Sequence, residues 1–159
     1  MSAESVRNWL AEHAPELRLI DQAASTATVL EAAATLGVEP GRIAKTLAFR
    51  VGETAMLLVA RGDARLDNAR TKAELGGRPR MLDAEATLAL TGHAVGGVCP
   101  FGLTRPVPVV CDKSLLAYET VFPAAGSRTS SIELTPARLA ELTGARWVEI
   151  CRVPDDQKS

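Results

Sequence analysis

The chain has 159 residues, enough for one hydrophobic core but too few for two ordinary domains. A hydrophobic fraction of 47% and a charged fraction of 23% are typical of a folded globular protein and exclude a disordered one. The net charge of −1 argues against a protein that holds nucleic acid by bulk electrostatics, although it leaves room for a local basic patch.

Several further classes of protein are excluded by what the sequence lacks. No apolar run approaches the roughly 20 residues that a helix needs to cross a bilayer, and the charged amino terminus is unlike a secretory signal. Cys99, Cys111 and Cys151 show no paired spacing, so they indicate neither a disulfide framework nor a zinc site. Nucleotide-binding and zinc-peptidase motifs are absent as well. We therefore expect a cytoplasmic protein that uses no metal and no cofactor.

The chain begins with alternating helical and strand-like segments. Apolar residues at helical spacing predict a helix over 4–14, and the short apolar run 17–20 suits a strand. Thr28 is placed to cap a helix that Gly37 ends. Pro40 can open one further helical turn, because proline is tolerated at the first helical position.

A hairpin and another helix follow. The runs 45–51 and 54–61 are rich in apolar and β-branched residues and are separated by a two-residue turn, which predicts a β-hairpin. Asp67 can cap a helix over 68–75, and the run 78–82 suits another strand.

The last part of the chain continues the alternation. Asp83 and Thr135 can each cap a further helix, which Gly92 and Gly144 end. Residues 153–159 are expected to form a frayed tail. Hairpins and helix-linked strands both occur, so the whole chain is predicted to form one α+β domain with a mixed sheet. The remaining strand-like runs are 107–111, 118–122, 130–134 and 147–151.

The most unusual local segment is GGVCPFG at 96–102, called the glycine loop below. Gly96 and Gly97 allow the backbone to approach another molecule closely, and Pro100 restricts Cys99 to an extended conformation. Such a loop can direct successive main-chain N–H groups at a carbonyl oxygen, which is what an oxyanion site requires. A tight turn between a helix and a strand is the simpler interpretation.

Two further features have both a structural and a functional interpretation. The segment AAGSRTSS at 124–131 offers space for a ligand and several hydroxyl groups, or else it is an ordinary polar hairpin loop. Lys45 stands where a helical turn passes into an apolar strand. Its side chain could simply reach water, or it could point a positive charge into a cleft to hold a phosphate or polarise an ester.

Two other groups of residues carry weaker signals. Cys99 could be a nucleophile, but His13 and His93 are the only histidines and neither shows a motif that pairs it with a thiol. Basic residues concentrate in one stretch, with acidic residues interspersed, which is typical of a solvated surface; contact with the acceptor end of a tRNA is the sharper alternative. This basic set is Arg61, Arg65, Arg70, Lys72, Arg78 and Arg80.

Five short motifs then occur in one order. Lys45-Thr46-Leu47 begins a strand, and a hairpin, an LD-x-x-x-x-K segment, the GG-x-x-P-x-G of the glycine loop and an AAG…IEL-x-P segment follow. This series resembles the YbaK family, also found as the editing domain of bacterial prolyl-tRNA synthetases, and the likeness covers roughly residues 17–151. It implies a barrel-like mixed sheet flanked by helices, and hydrolysis of the ester that joins an amino acid to the terminal adenosine of a tRNA.

The resemblance also implies which residues form the site. The essential lysine of the family matches Lys45, and its GxxxP loop matches the segment from Gly96 to Pro100, so Lys45 and Gly96 are the predicted catalytic residues. The predicted substrate-binding residues are Thr28, Thr46, Gly97, Val98, Cys99, Pro100, Ala124, Gly126 and Ser131.

The substrate implied by the resemblance is a mischarged tRNA, most often tRNA-Pro, that carries Ala, Ser, Thr or Cys. Members resembling the Cys-tRNA deacylase have an aromatic residue, a Ser and an Asp near the positions of Thr28, Ala124 and Ser131, which disfavours cysteine here. A hydroxyl-rich pocket with Ser131 favours Ser, Thr or Ala. The expected partners are the acceptor end of the tRNA and prolyl-tRNA synthetase.

The implied chemistry needs no nucleophilic side chain. An aminoacyl ester is already activated, so water and a positioned oxyanion site are expected to suffice, with the ribose 2′-hydroxyl as an alternative attacking or orienting group. Lys45 is expected to anchor the terminal phosphate or to stabilise developing negative charge. Two alternatives stay open: a non-catalytic module that binds tRNA ends or a synthetase, and a thiol-dependent hydrolase that uses Cys99.

Overall fold

A computed structural model describes residues 2–154 of the chain; Met1 and residues 155–159 lie outside the described residues, as does most of the predicted frayed tail. None of the described helices is both long and apolar enough to span a bilayer. The helices of this region are α1 (Ser2–His13), α2 (Val29–Leu36), α3 (Asn68–Leu75), α4 (Ala84–Thr91) and α5 (Pro136–Thr143).

Helices α2 to α5 begin and end at the predicted residues. The side chain of each predicted cap, Thr28, Asp67, Asp83 or Thr135, accepts a hydrogen bond from the backbone N–H three residues later. Each helix ends at a glycine in the left-handed region, with φ between 67° and 85°. These eight boundaries depend on local chemistry alone, and the sequence predicts them correctly.

The strands are mostly short, and two 3-10 turns, Pro40–Arg42 and Lys113–Ala117, accompany them. The predicted runs 17–20, 118–122 and 130–134 contribute only one or two residues each to a strand. The strands of the described region are β1 (Ile20–Asp21), β2 (Ile43–Val51), β3 (Thr54–Arg61), β4 (Arg65–Leu66), β5 (Arg80–Met81), β6 (Val109–Asp112), β7 (Phe122–Pro123), β8 (Ser130–Ser131), β9 (Arg146–Val148) and β10 (Cys151–Arg152).

The single strand predicted at 147–151 is wrong. The buried carboxylate of Asp112 accepts hydrogen bonds from the backbone N–H of Ile150 at 2.8 Å and of Cys151 at 3.1 Å. These amides bind a side chain instead of a neighbouring strand, so β9 ends at Val148 and β10 pairs separately with β4.

The central sheet has the order β5-β2-β3-β6-β9, and β7 is a further neighbour of β2. β2 and β3 form the predicted antiparallel hairpin, whereas β3–β6 and β6–β9 are parallel. The predicted α+β class with a mixed sheet is therefore confirmed. Within residues 2–154 the pairing runs from β5 to β9 without these two edge strands meeting, and β1–β8 and β4–β10 form separate pairs.

The central sheet is buried on both faces. On one face, Ala44 and Ala48 of β2 belong to a core cluster that includes residues of α1 and α5. On the other face, Phe49 packs in a second cluster with Leu58. Residues Met56–Ala60 of β3 are all buried, because successive side chains face the two clusters in turn. This explains why β3 is an almost uninterrupted apolar run.

The outer edge of β2 is paired at both ends and open in the middle. β7 pairs with residues 43–44, β5 pairs with residues 49–50, and the N–H of Leu82 donates to the carbonyl of Ala48 at 3.0 Å. Between them, no strand of the described region pairs with residues 45–47 on this side, and these residues are called the open edge below. This opening positions the candidate site.

Candidate active site

The open edge forms one wall of a cleft of about 270 Å³. The first turn of α2, the glycine loop, residues around β5 and α4, and the segment from β7 to β8 supply the other walls. Most of the lining side chains are small or apolar, as Ala32, Leu82 and Ala124 illustrate, while Thr46, Thr87 and Ser131 contribute hydroxyl groups. Such a mixture of apolar wall and few polar groups is typical of a small-molecule site.

The predicted site residues divide into two groups. Those that line the cleft are Thr28, Lys45, Thr46, Gly96, Val98, Ala124 and Ser131. The others, Gly97, Cys99, Pro100 and Gly126, are buried behind the cleft wall and do not line it. The structure thus brings β2 with Lys45, the glycine loop and the segment 124–131, called the serine segment below, together around one cleft.

The main chain of Thr46 faces the cleft. The carbonyl of Ala48 points to the outer edge of β2, since it accepts from Leu82. In a strand, the N–H and C=O groups of residues two apart point to the same side. The N–H and C=O of Thr46 are therefore directed at the open edge, where β5 and β7 leave space for a ligand to take the place of a strand.

Two hydroxyl groups lie on the floor of the cleft. The Oγ1 atom of Thr46 is shielded from solvent and has no hydrogen-bond partner among the described residues. Ser131 is only 2% exposed and also lines the cleft. Its neighbour Ser130 turns away and donates to Asp21 at 2.6 Å, so the serine segment separates into a structural and a cleft-facing part. A buried hydroxyl without a partner indicates a group that a ligand can satisfy.

The glycine loop bends because Gly96 has φ of +98°, a conformation that side chains with a Cβ rarely adopt. The N–H of Gly97 donates to Ala94 at 3.0 Å, so it is not available to a ligand. The amides of Gly96 and Val98 make no hydrogen bond within the described part of the chain, and both residues line the cleft. The loop can therefore supply two main-chain donors, although not the consecutive pair that two adjacent glycines suggest.

Cys99 lies behind the loop, against His93. Both side chains are 0% exposed; the Cys99 Sγ atom is 3.6 Å from His93 Nε2, and that nitrogen is 2.7 Å from the carbonyl of Phe101. Burial raises the pKa of the Cys99 thiol to about 12 and lowers the pKa of His93. A neutral thiol behind the wall is not an activated nucleophile, so the geometry contradicts the thiol-dependent alternative.

Lys45 points to the face of the sheet opposite Thr46. Its ammonium donates to the carbonyl of Ala64, and burial lowers its pKa, while the nearby Cys151 and Asp63 act in the opposite direction. Residue 45 lines the cleft at the open edge. An ammonium has three N–H donors, so the bond to Ala64 leaves further donors for a ligand.

Sequence reasoning missed several residues of the cleft. Val29 and Ala32 of α2, Leu82 after β5 and Thr87 of α4 line it, but nothing in their local sequence distinguishes them from core or surface residues. Thr26 ties the start of this wall to the serine segment, because its N–H and its hydroxyl both donate to the carbonyl of Arg128, at 2.6 and 3.1 Å. Only the tertiary contacts show these roles.

Taken together, these features describe a small α+β domain with a cleft at the open edge of its sheet. The cleft combines free main-chain donors, an open strand edge, hydroxyl groups and a half-buried lysine, which is enough to bind a carbonyl group and stabilise an oxyanion. Residues 2–154 contain no group of three or more His, Cys, Asp or Glu side chains that could hold a metal ion.

Comparison with known proteins identifies the family. The profile of the aminoacyl-tRNA editing domain matches residues 23–142, so the chain belongs to that family. The resemblance to YbaK-type proteins and the prediction of an aminoacyl-tRNA deacylase are thereby confirmed.

Two relatives and one solved structure are similar over most of the chain. The uncharacterized protein YwhH of Bacillus subtilis is 45% identical over 154 residues, covering 96% of this chain and 98% of YwhH. EbsC of Enterococcus faecalis, whose description proposes a Cys-tRNA(Pro)/Cys-tRNA(Cys) deacylase, is 32% identical over 74% of this chain and 73% of its own. A crystal structure described as a proposed trans-editing enzyme for prolyl-tRNA synthetase superposes with a TM-score of 0.87 at 36% identity, over 95% of this chain and 97% of that one.

Proposed function

We propose that the protein acts in the cytoplasm as a free-standing editing enzyme that deacylates tRNA-Pro carrying a small non-cognate amino acid, with Ala and Ser as the preferred groups. The single observation that carries this proposal is the cleft at the open edge, whose small size and hydroxyl-bearing floor suit a short side chain. The link to tRNA-Pro is supported by the descriptions of EbsC and of the trans-editing structure.

The main chain at the open edge is suited to hold the aminoacyl group. The carbonyl of Thr46 can accept a hydrogen bond from the α-ammonium of the amino acid, as a neighbouring strand would donate to it. The Thr46 hydroxyl and Ser131 then lie beside the amino acid side chain, where they can bind a serine or threonine hydroxyl. Alanine also fits this site, because its methyl side chain is smaller than the side chain of serine.

The glycine loop is suited to stabilise the reaction itself. A water molecule attacks the ester carbonyl carbon, and the amides of Gly96 and Val98 donate to the oxygen on which negative charge develops. When the tetrahedral intermediate collapses, the bond to the ribose oxygen breaks and that oxygen takes a proton, so the products are the free amino acid and tRNA. Residue 45 lines the cleft, while its ammonium donates to the carbonyl of Ala64 on the opposite face of β2. If the side chain turns towards the cleft, its charge can hold the terminal phosphate or stabilise the oxyanion.

The test is a deacylation panel. tRNA-Pro and tRNA-Ala are each charged with Ala, Ser, Thr, Cys and Pro, and release of the amino acid is measured with the wild-type protein, Lys45→Ala and Cys99→Ser. We expect Ala and Ser to be released fastest from tRNA-Pro. Loss of the Lys45 charge is expected to slow release about a hundredfold, the usual effect of removing one electrostatic contact to the transition state. Cys99→Ser is expected to retain most activity, because this thiol lies behind the cleft wall.

The same panel can contradict the proposal. If wild-type protein binds the charged tRNAs but releases no amino acid, the protein is a binding module. Equal release of Ala and Ser from tRNA-Ala and tRNA-Pro would remove the assignment to tRNA-Pro. If Lys45→Ala hydrolyses as fast as the wild-type protein, the role of Lys45 is wrong.

A further inference from the structure

Two arginines lie directly opposite each other in the central sheet. Arg50 of β2 and Arg80 of β5 are register partners in the antiparallel pair, and both are exposed. Side chains of opposite residues point to the same face and lie about 5 Å apart at their Cβ atoms, where like charges are destabilising. The charges of such a pair do not stabilise the sheet.

Four other arginines of the protein are neutralised by a neighbouring carboxylate. Arg42, Arg61, Arg138 and Arg152 each form an ion pair with an Asp or Glu. In the part of the chain from 2 to 154, neither Arg50 nor Arg80 forms an ion pair with a carboxylate. This pair is therefore a local concentration of positive charge on a chain whose net charge is −1.

The basic stretch identified in the sequence does not form this site as a unit. Arg61 pairs with Asp63 at 2.7 Å, and the guanidinium of Arg70 donates to the carbonyl of Cys151 at 2.6 Å. Arg65 stands opposite Arg152 between β4 and β10, where Arg152 pairs with Asp67 at 2.8 Å. Arg80 stands opposite Arg50, which lies outside the stretch. The hairpin and the pairing of β5 with β2 bring these two charges together.

The arginine pair stands on the rim of the cleft. Side chains alternate along β2, so Arg50 lies on the same face as Thr46, four residues or about 13 Å along the strand. On the other strand, Arg80 is followed by Met81 and Leu82, which both line the cleft. The nearest acidic residue after Arg80, Asp83, is occupied as the cap of α4, where it accepts from the N–H of Ala86 at 2.8 Å.

We propose that Arg50 and Arg80 bind backbone phosphates of the tRNA acceptor strand next to the terminal adenosine. The proposal rests on the proposed function, because the ester must lie in the cleft for the adjoining nucleotides to reach the rim. Two guanidinium groups on one face can contact neighbouring phosphates of a nucleic-acid strand, and each can hold a phosphate with two parallel hydrogen bonds. The pair positions the nucleic acid without reading its sequence.

The experiment compares the double variant Arg50→Gln/Arg80→Gln with Arg146→Gln. Arg146 is also exposed, but it lies on β9, the opposite edge strand of the sheet, so it controls for the loss of positive charge. Binding of uncharged tRNA-Pro is measured by fluorescence anisotropy between 50 and 200 mM salt, and hydrolysis is measured on alanyl-tRNA-Pro and on 3′-O-alanyl-adenosine, which has no phosphate.

The double variant is expected to bind tRNA at least about tenfold more weakly, which is the usual effect of losing a hydrogen bond to a charged group. Its plot of log association constant against log salt should be shallower by about two, one for each phosphate contact. The KM for alanyl-tRNA-Pro should rise with kcat unchanged, and hydrolysis of 3′-O-alanyl-adenosine should equal that of the wild-type protein. Arg146→Gln should match the wild-type protein throughout. The double variant should unfold at the same temperature or higher, because a repulsive pair has been removed.

The inference is overturned if the double variant binds tRNA as tightly as Arg146→Gln with the same salt slope. It is also overturned if hydrolysis of 3′-O-alanyl-adenosine falls as much as that of alanyl-tRNA-Pro, since the arginines would then act within the cleft. The binding measurement does not depend on catalysis. A wild-type protein that hydrolyses neither substrate would therefore contradict the proposed function while the binding data still decide the role of the arginine pair.

Discussion

The two sides of the glycine loop differ in solvent exposure and in hydrogen bonding, although their residues are adjacent in the sequence. On the cleft side, Gly96 and Val98 are partly exposed, and their amides have no partner in the described region. On the inner side, Cys99 and Phe101 are 0% exposed and contact His93. Helix α1 closes the inner side, because Ser2 binds His93 through its hydroxyl group. The difference teaches that the inner side fixes the shape of the loop, which leaves the cleft side free to bind.

The largest effect is expected from filling the inner side at Gly97. A Cβ atom there would lie 2.7 Å from the Ser127 backbone nitrogen and 2.8 Å from the Gly126 carbonyl carbon, and neither backbone atom can move easily. Gly97→Ala should therefore push the loop out of place, lower the free energy of unfolding by about 1–3 kcal/mol and reduce deacylation at least about a hundredfold. Urea unfolding and single-turnover hydrolysis measure the two effects.

Val98→Ala is the matched change on the cleft side. It should alter the free energy of unfolding by less than about 1 kcal/mol, because this side chain is already partly exposed. Should Gly97→Ala unfold and hydrolyse like the wild-type protein, the distinction between the two sides would be wrong.

The next effect concerns the pH dependence of stability. The pKa of Cys99 is raised from 9.0 to about 12 by burial, so between these values the folded protein keeps a proton that the unfolded chain releases. The contribution of this thiol to the free energy of unfolding is therefore fully present below pH 9. It falls as the pH rises above 9, by about 1.4 kcal/mol per pH unit. Cys99→Ala should reduce the alkaline slope of the free energy of unfolding, measured by urea unfolding at pH 8, 9.5 and 10.5.

Cys111 and Cys151 provide controls for this slope. Burial raises the pKa of each to about 12, so Cys111→Ala should reduce the slope by a similar amount although Cys111 lies on β6, outside the loop. A slope that no cysteine substitution changes would show that these thiols are accessible to solvent, against the buried inner side described above.

The smallest effect is expected at the hydroxyl groups of the cleft. Thr46→Val removes an oxygen that has no partner among residues 2–154 and keeps the shape of the side chain, so stability should be unchanged. The ratio of kcat/KM for seryl-tRNA-Pro over alanyl-tRNA-Pro should fall about two- to tenfold, the value of one hydrogen bond. Ser131→Ala should act in the same direction. An unaltered ratio in both variants would exclude these hydroxyls from the choice of amino acid.

Much of the fold could be predicted from the sequence because its signals are local. Thr28, Asp67, Asp83 and Thr135 cap the helices as expected, since a short polar side chain can reach the N–H three residues on in any protein. The hairpin of β2 and β3 forms because its two-residue turn and its apolar arms are adjacent in the chain. The strand at 147–151 was predicted wrongly because Asp112, a distant residue, captures its amides.

The candidate site shows the same division. The order of motifs brought Lys45, Thr46, Gly96 and Ser131 to attention, and the structure places all four around one cleft. It also separates Lys45 from Thr46, whose side chains face opposite sides of β2 although the residues are adjacent. Alternation along a strand is a local property, but which side meets solvent depends on what packs there.

The sequence by itself thus determined the boundaries of α2 to α5, the hairpin, the family and the segments that carry the chemistry, because each depends on neighbouring residues or on the order of motifs. Only the tertiary structure decided which side of the glycine loop is free, where β2 is left open and that Arg50 meets Arg80. These features arise where segments far apart in the chain pair or fail to pair, and no local preference of the backbone or of a side chain specifies such a meeting.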